Sequence, residues 1–351
     1  MPQTLTDILG NPLIALGAGL GAVMTLLTIN VLFCIWFERK VSAWIQLRMG
    51  PMEVGPHGTL QTVADMIKLL GKQLITPRDI DKPMYHLAPL LVFAPVVAAT
   101  SLLPFSKGIV LADINIGLVL IFMFSGFAVI GIFMAGWGSN NKYALLGAMR
   151  SIAQNISYEI PLILSALPIV LMVSAMGRDF VVTPETAEAV VVTQNLSGMN
   201  LAHITMVQAS SHLWFILFQP IAAVIFFIAT LAETNRTPFD LPEAESELVA
   251  GFHTEYSGMR FGLFFFAEFS NMLIGAMLMT VLFFGGWDGP LLPGPVWFFL
   301  KSYLLIFGMM WVRWTFPRLR FDQLMTFCWG ILIPISIANL LVTAFIVKAL
   351  A

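Results

Sequence analysis

The sequence has few charged residues for its length of 351 positions. Charged residues make up 11% of the chain and hydrophobic residues 58%, whereas a soluble domain carries about 25% charged residues. A water-soluble protein of this size could not bury so much apolar surface. The net charge of −2 excludes broad electrostatic binding of nucleic acid, which needs surplus Lys and Arg. We therefore expect a protein whose solvent is the lipid bilayer.

Cysteine is also scarce. Cys34 and Cys328 lie far apart in the chain and outside any CxxC or Cys/His ligand spacing. An ordinary iron–sulfur cluster needs four thiolates, and no pair of histidines within the apolar runs suggests a bis-His haem. We therefore expect that this chain alone binds no metal and no redox cofactor.

Long apolar runs predict an all-α, polytopic membrane protein that forms a single domain over residues 1–351. A transmembrane helix needs about 20 mostly apolar residues, and a helix satisfies its own backbone hydrogen bonds in lipid. About eight spans are predicted, at 13–37, 86–105, 114–137, 151–177, 214–232, 261–287, 296–312 and 324–347.

Lys and Arg are unevenly divided between the two sides that eight spans create. Loops 38–85, 138–150, 233–260 and 313–323 share one side and hold 14 of the 18 Lys and Arg residues. Cytoplasmic loops carry such an excess. We therefore expect a bacterial inner membrane protein with both termini on the periplasmic side.

The first long loop contains an amphipathic stretch at residues 59–70. Its apolar members follow at spacings of three, four and three residues: Leu60, Val63, Ile67 and Leu70. This pattern predicts an interfacial helix with Asp65 and Lys68 turned away from the acyl chains. The helix either anchors the loop or borders a lateral doorway, through which an amphiphile leaves the bilayer for a pocket.

Acidic residues are concentrated in the loop 233–259, which holds six acids against Arg236 alone. Apolar neighbours favour partial burial, and acids gathered in that way can exchange protons near neutral pH. A solvated acidic surface is the alternative. Glu159 and Glu268 lie inside spans, where an acid at the helix centre costs about 2.5–3.5 kcal/mol. Each is predicted to lie on a proton path or in a buried ion pair.

Several strings resemble the H-subunit family of proton-pumping NADH:quinone oxidoreductase, respiratory complex I. They are ERK at 38–40, QLRMGP at 46–51, VGPHG at 54–58, ADMIKLL at 64–70, GSNNKYALLGAMR at 138–150, AQNISYE at 153–159, most of 233–259, and FPRLRFDQLM at 316–325. The resemblance covers nearly the whole chain. Two departures are Gln73, where the family often has Glu, and the long loop 178–210.

The resemblance implies a protein that joins the peripheral redox arm to the membrane arm and is not catalytic alone. It would form part of a quinone chamber and begin a line of acids that leads to proton translocation. The residues implied for the quinone chamber are Glu38, Arg39, Arg48, Asp65, Arg236 and Arg318. The residues implied for the proton path are Glu159, Glu233, Glu243, Glu245, Glu247, Glu255 and Glu268.

The resemblance also implies the partners. The terminal iron–sulfur cluster and FMN would lie in peripheral-arm subunits, quinone would be the substrate, and small and antiporter-like membrane subunits would be neighbours in the lipid. Two other functions remain open: the equivalent anchor of a membrane-bound hydrogenase or formate hydrogenlyase, and an autonomous proton-coupled transporter. The sequence lacks the internal repeats typical of many transporters.

Overall fold

The computed structural model describes residues 12–107, 109–176, 198–211, 213–240 and 249–350. Within these ranges the regular elements are helices, apart from one isolated bridge between Ser106 and Ile109. The predicted all-α class is therefore confirmed. The helices are α1 (Pro12–Ile45), α2 (Gln61–Gly71), α3 (Lys82–Ser101), α4 (Gly117–Gly138), α5 (Lys142–Met176), α6 (Leu201–Ser211), α7 (Pro220–Glu233), α8 (Met259–Phe283), α9 (Gly294–Thr315), α10 (Phe321–Phe327) and α11 (Ile333–Leu350).

Seven helical segments of the described chain are long and apolar enough to cross a membrane. They are α1, α3, α4, α5, α8, α9 and the rod formed by α10, the π-helical turn Cys328–Leu332 and α11. The predicted span at 214–232 corresponds to a shorter apolar helix. Its helix α7 begins only at Pro220 and has 14 residues, which is about 21 Å against a hydrocarbon core of about 30 Å.

The predicted division of the loops between two ends of the bundle agrees with the contacts. At one end, which we call the basic end, the Asp81 amide donates to the Gly138 carbonyl at 3.0 Å, and the Leu319 amide donates to the Pro238 carbonyl at 3.0 Å. At the opposite end, Asn200 Nδ2 donates to Asp113 Oδ1 at 2.7 Å. The two pairs of loops are joined by Asn141 Nδ2, which donates to Glu255 Oε1 at 2.6 Å, so the four Lys- and Arg-rich loops meet at one end.

Helix α8 lies at the centre and packs against α1, α3, α7 and α9. Its close approach to α7 depends on Gly275, where a Cβ would lie 2.3 Å from Thr230 Cγ2. At the opposite end, the Lys301 ammonium donates to the carbonyls of Phe284, Gly286 and Asp288 at 2.6–3.1 Å. Small residues and satisfied polar groups thus replace the hydrophobic effect, which does not drive helix association in lipid.

Candidate functional site

An apolar cavity of about 590 Å³ lies between α1, α2, α3 and α8. Such a volume is typical of sites for organic ligands, which occupy roughly 300–1,000 Å³. Its body is made of aliphatic and aromatic side chains, among them Val31, Met66, Leu69 and Phe266. An apolar body of this size suits the hydrocarbon part of an amphiphile.

Charged side chains gather where α2 borders this cavity. Arg39 Nη1 and Asp65 Oδ2 form an ion pair at 2.7 Å, in which the side chains are 44% and 38% exposed. Lys68 and Lys72 also line the cavity. The cavity therefore combines an apolar body with a charged end, and two of the implied chamber residues, Arg39 and Asp65, lie there.

Helix α2 has one face toward the cavity and another away from it. The predicted interfacial helix at 59–70 is confirmed as a helix at Gln61–Gly71. Thr62, Asp65, Met66 and Leu69 line the cavity, whereas Leu60, Ile67 and Leu70 are exposed on the outer surface of the chain. Apolar residues thus occupy both faces of α2.

Four buried or half-buried charges link α1, α8 and α9 next to the cavity. Arg236 is 3% exposed and reaches Glu38 Oε2 at 3.2 Å and Glu268 Oε1 at 3.0 Å. Arg313 pairs with Glu38 from its other side. The Arg236 guanidinium also lies 4.3 Å from the centre of the Phe269 ring. We call Arg313, Glu38, Arg236 and Glu268 the charge network.

A second cavity of about 60 Å³, lined by both polar and apolar side chains, borders the charge network. Three predicted proton-path acids line it: Glu159 from α5, Glu233 from α7 and Glu268 from α8. A further cavity of about 40 Å³ shares Glu233 and Asn271 with it and extends toward Gly275 and Leu278. A water needs about 10–15 Å³, so the two can each hold a few waters. We call them together the acidic cavity.

Uncharged polar groups in the acidic cavity escaped the sequence analysis. Within the described part of the chain, the buried Asn155 Oδ1 and His253 Nδ1 atoms have no protein partner, and both residues line the cavity. Buried polar atoms of this kind are usually satisfied by internal water. Asn155 and Asn271 inside apolar spans are the signal that could have pointed to them.

Other predicted site residues lie elsewhere. Arg48 is exposed in the loop after α1, where its Nε donates to Gln46 Oε1 at 2.6 Å. Arg318 is half-buried at the basic end. Glu255 accepts a hydrogen bond from Asn141 Nδ2 at 2.6 Å and does not line either part of the acidic cavity. Glu243, Glu245 and Glu247 lie outside the described residues.

His253 lies outside the spanning helices, in the short 3₁₀ turn Gly251–His253 between Phe252 and Phe261. Burial lowers the pKa of His253 to about 4, so its folded form is neutral at neutral pH. The unfolded chain binds the extra proton below its ordinary pKa of about 6.5. This residue therefore makes the fold less stable as pH falls from 6.5 toward 4.

We expect His253→Gln to reduce the loss of stability that acid causes. At pH 5.5 the neutral imidazole lowers the free energy of unfolding by about 1 kcal/mol, whereas at pH 7.5 this loss is close to zero. The thermal midpoint of the assembled protein measured at both pH values gives the difference. His86→Gln is the control, because His86 is exposed. An equal acid-induced shift in wild type and His253→Gln would contradict the expectation.

Comparison with known proteins gives a consistent result along the chain. Residues 19–344 match the NADH dehydrogenase family. The chain is 44% identical over 327 residues to the H subunit of NADH-quinone oxidoreductase from Carboxydothermus hydrogenoformans, covering 92% of this chain and 86% of that protein. It is 45% identical over 353 residues to the protein of the same name from Desulfotalea psychrophila, covering 100% of both chains. For the protein of that name from Geobacillus kaustophilus, the identity is 46% over 355 residues, with 99% of each chain covered.

Proposed function

This chain belongs to the NADH dehydrogenase family as a membrane subunit of an NADH-quinone oxidoreductase, and from that premise we propose that its apolar cavity forms part of the quinone chamber. A quinone is an amphiphile with a hydrocarbon tail and a polar ring. The apolar body of the cavity suits the tail, and the charged end at Arg39 and Asp65 suits the ring. This match between cavity and substrate is the observation that carries the proposal.

The redox centres belong to partner subunits in this proposal. A peripheral arm that carries FMN and iron–sulfur clusters docks on the loops of the basic end and delivers two electrons. Small and antiporter-like membrane subunits lie beside the chain in the lipid. The excess of Lys and Arg supports a cytoplasmic location for the basic end, with both termini on the outer side of a bacterial inner membrane.

The charge network relays the electrostatic change that accompanies quinone reduction. A quinone that accepts two electrons gains negative charge until two protons neutralise it as quinol. Arg236 contacts Glu38, which neighbours Arg39 of the apolar cavity, and Glu268, which lines the acidic cavity. A negative charge that forms in the apolar cavity therefore changes how strongly Arg236 pairs with Glu268 at the acidic cavity. The acids can pass the resulting change in protonation to the neighbouring membrane subunits.

The alternative anchor of a membrane-bound hydrogenase would have the same acids but no quinone in the apolar cavity. An autonomous transporter would move protons as an isolated chain in liposomes. The cavity and the names of the relatives favour the quinone enzyme. Substitutions on the two faces of α2 separate these possibilities.

We expect Met66→Asp or Leu69→Asp to impair quinone reduction, because each places a carboxylate in the apolar body of the cavity. Burying an unpaired charge costs several kcal/mol, so the KM for quinone should rise at least about tenfold. Electron transfer from NADH to a water-soluble acceptor should persist, because it does not pass through this cavity. Both rates are measured on the assembled complex in native membranes.

Ile67→Asp is the matched control on the outer face of α2, where the side chain is 62% exposed. It adds the same charge to the same helix without filling the cavity. Its quinone KM should change less than that of the cavity-facing variants. Wild-type quinone kinetics in assembled Met66→Asp and Leu69→Asp complexes would contradict the quinone-chamber proposal.

A further inference from the structure

The apolar cavity and the acidic cavity meet at two phenylalanines on α8. Phe261 and Phe265 line both the apolar cavity and the 60 Å³ part of the acidic cavity. They are one helical turn apart, and their rings stack with centroids 6.0 Å apart and an interplanar angle of 23°. We call this pair the aromatic partition.

Neighbouring residues of α3 and α8 face only one of the two cavities. On α3, Val92 lines the acidic cavity and the next residue, Phe93, lines the apolar cavity. On α8, Phe264 lines the acidic cavity and Phe266 the apolar one. The two helices thus form a continuous wall, and the aromatic partition is the place where a single side chain separates the two spaces.

The partition is held in position from the side of the charge network. The Phe265 ring contacts the Phe269 ring, with centroids 5.0 Å apart, and Phe269 lies against the buried guanidinium of Arg236. The row Phe261, Phe265 and Phe269 therefore ends on the cation that pairs with Glu38 and Glu268. The row presents only aromatic hydrocarbon to both cavities.

We propose that the aromatic partition keeps water, and with it protons, from passing between the apolar cavity and the acidic cavity, while the electric field of a charge acts across it. A proton moves along a continuous chain of hydrogen bonds, and phenylalanine supplies neither donor nor acceptor. A field needs no such chain, and it acts strongly through a medium of low dielectric constant. The proposal rests on the proposed function, because it assumes that quinone binds in the apolar cavity and that the acids transfer protons.

This separation matters because the apolar cavity would hold quinone and the acidic cavity would hold protons and water. Protons that the acids gain must leave through the membrane subunits for the redox energy to be conserved. A water-filled gap in the partition would join the acids to the charged end at Arg39 and Asp65, which lies at the basic end. Protons would then return to the side from which they came, and quinone reduction would continue without moving them across the membrane.

The test uses the assembled complex in liposomes and measures protons moved per NADH oxidised. Phe261 and Phe265 also line the apolar cavity, so Phe261→Ala and Phe265→Ala are expected to raise the KM for quinone as well, and the ratio is measured at saturating quinone. We expect both variants to lower the ratio at least about two-fold, because the opening reaches the polar groups of the acidic cavity, which hold water. Phe265→Asn serves as a second variant if alanine prevents assembly, since the amide fills more of the space and offers hydrogen bonds to water that can carry protons. Phe265→Leu keeps an apolar barrier and should keep most of the ratio.

Two matched controls come from the same helix. Phe266→Ala enlarges only the apolar cavity and should raise the KM for quinone without changing the ratio. Phe264→Ala enlarges only the acidic cavity and should also keep the ratio. An unchanged KM in Phe266→Ala would count against the quinone chamber itself, independently of the partition.

Three results would overturn the partition. One is a wild-type ratio in the assembled Phe265→Ala or Phe265→Asn complex. Another is an equal fall in Phe266→Ala, which would mean that any loss of aromatic volume uncouples the enzyme. The third is a large fall in NADH oxidation at saturating quinone with an unchanged ratio for the residual activity, which would give the ring a role in turnover rather than in separation.

Discussion

Replacing Arg236 by methionine is expected to destabilise the protein by about 3–5 kcal/mol, because it leaves buried acids without their cation. Arg236 is 3% exposed and pairs with Glu38 and Glu268 at once. Methionine fills similar volume but offers no charge. The loss is measured as a lower thermal midpoint of the purified complex and as a lower amount of assembled protein in the membrane.

The exposed pair of Arg39 and Asp65 provides the control for this effect. Both side chains are more than one third exposed, and such pairs contribute about 0–1 kcal/mol. Arg39→Met should therefore leave the thermal midpoint almost unchanged, even where it alters quinone kinetics. Equal destabilisation by Arg39→Met and Arg236→Met would show that burial of the charge network is not the cause.

A second substitution distinguishes charge imbalance from lost packing. Glu268→Gln in the Arg236→Met background removes the charge of one of the two carboxylates that lose Arg236 as a partner, and it should recover part of the lost stability. Glu38 retains Arg313 as a partner in either background. No recovery would indicate that the stacking of Arg236 on Phe269, rather than its charge, stabilises this region.

The helices could be predicted from the sequence where one feature dominates. The apolar runs predicted the seven long spanning segments, because a helix that crosses lipid must be both long enough and apolar enough. The helix within 214–232 is shorter than predicted for a local reason, because hydropathy does not show that Pro220 starts the helix after an irregular turn. The start of α5 at Lys142 was also missed, since its first residues mix charged and apolar types.

The site could be predicted only in part. An acid inside a span demands a partner or a function, and this argument found Glu159 and Glu268. It could not identify Arg236 as the partner of Glu268, because the pair depends on how the segment after α7 folds back against α8. The sequence could not single out Phe261 and Phe265 among 29 phenylalanines. Only their position between two cavities in the folded protein distinguishes them from the others.

The face of α2 that borders the cavity could not be predicted either. Periodicity predicted a helix with an apolar stripe, but a helix between lipid and a pocket has apolar contacts on two sides. The stripe at Leu60 and Ile67 faces outward, whereas Met66 and Leu69 face the cavity. The doorway hypothesis therefore remains a prediction, and it is the cavity-facing residues that test it.

The acids near the charge network should be needed for both turnover and pumping. Glu233 lines both parts of the acidic cavity, so its carboxyl group is placed to transfer a proton between them. Glu233→Gln preserves shape and hydrogen bonding but cannot release or accept a proton. We expect this variant to assemble normally and to lose NADH:quinone turnover and proton pumping together, each at least about tenfold, the order of a lost acid–base group.

The two losses should match because a tightly coupled enzyme cannot reduce quinone unless the acids change protonation. Liposomes with each assembled variant give NADH oxidation and the proton gradient side by side. Glu255→Gln is the control, because Glu255 bonds to Asn141 away from the acidic cavity and glutamine keeps an acceptor oxygen for that bond. Glu247→Gln is expected to resemble Glu233→Gln. Wild-type values of both quantities with glutamine at 233, 243, 245 and 247 together would show that turnover and pumping do not need these acids to titrate.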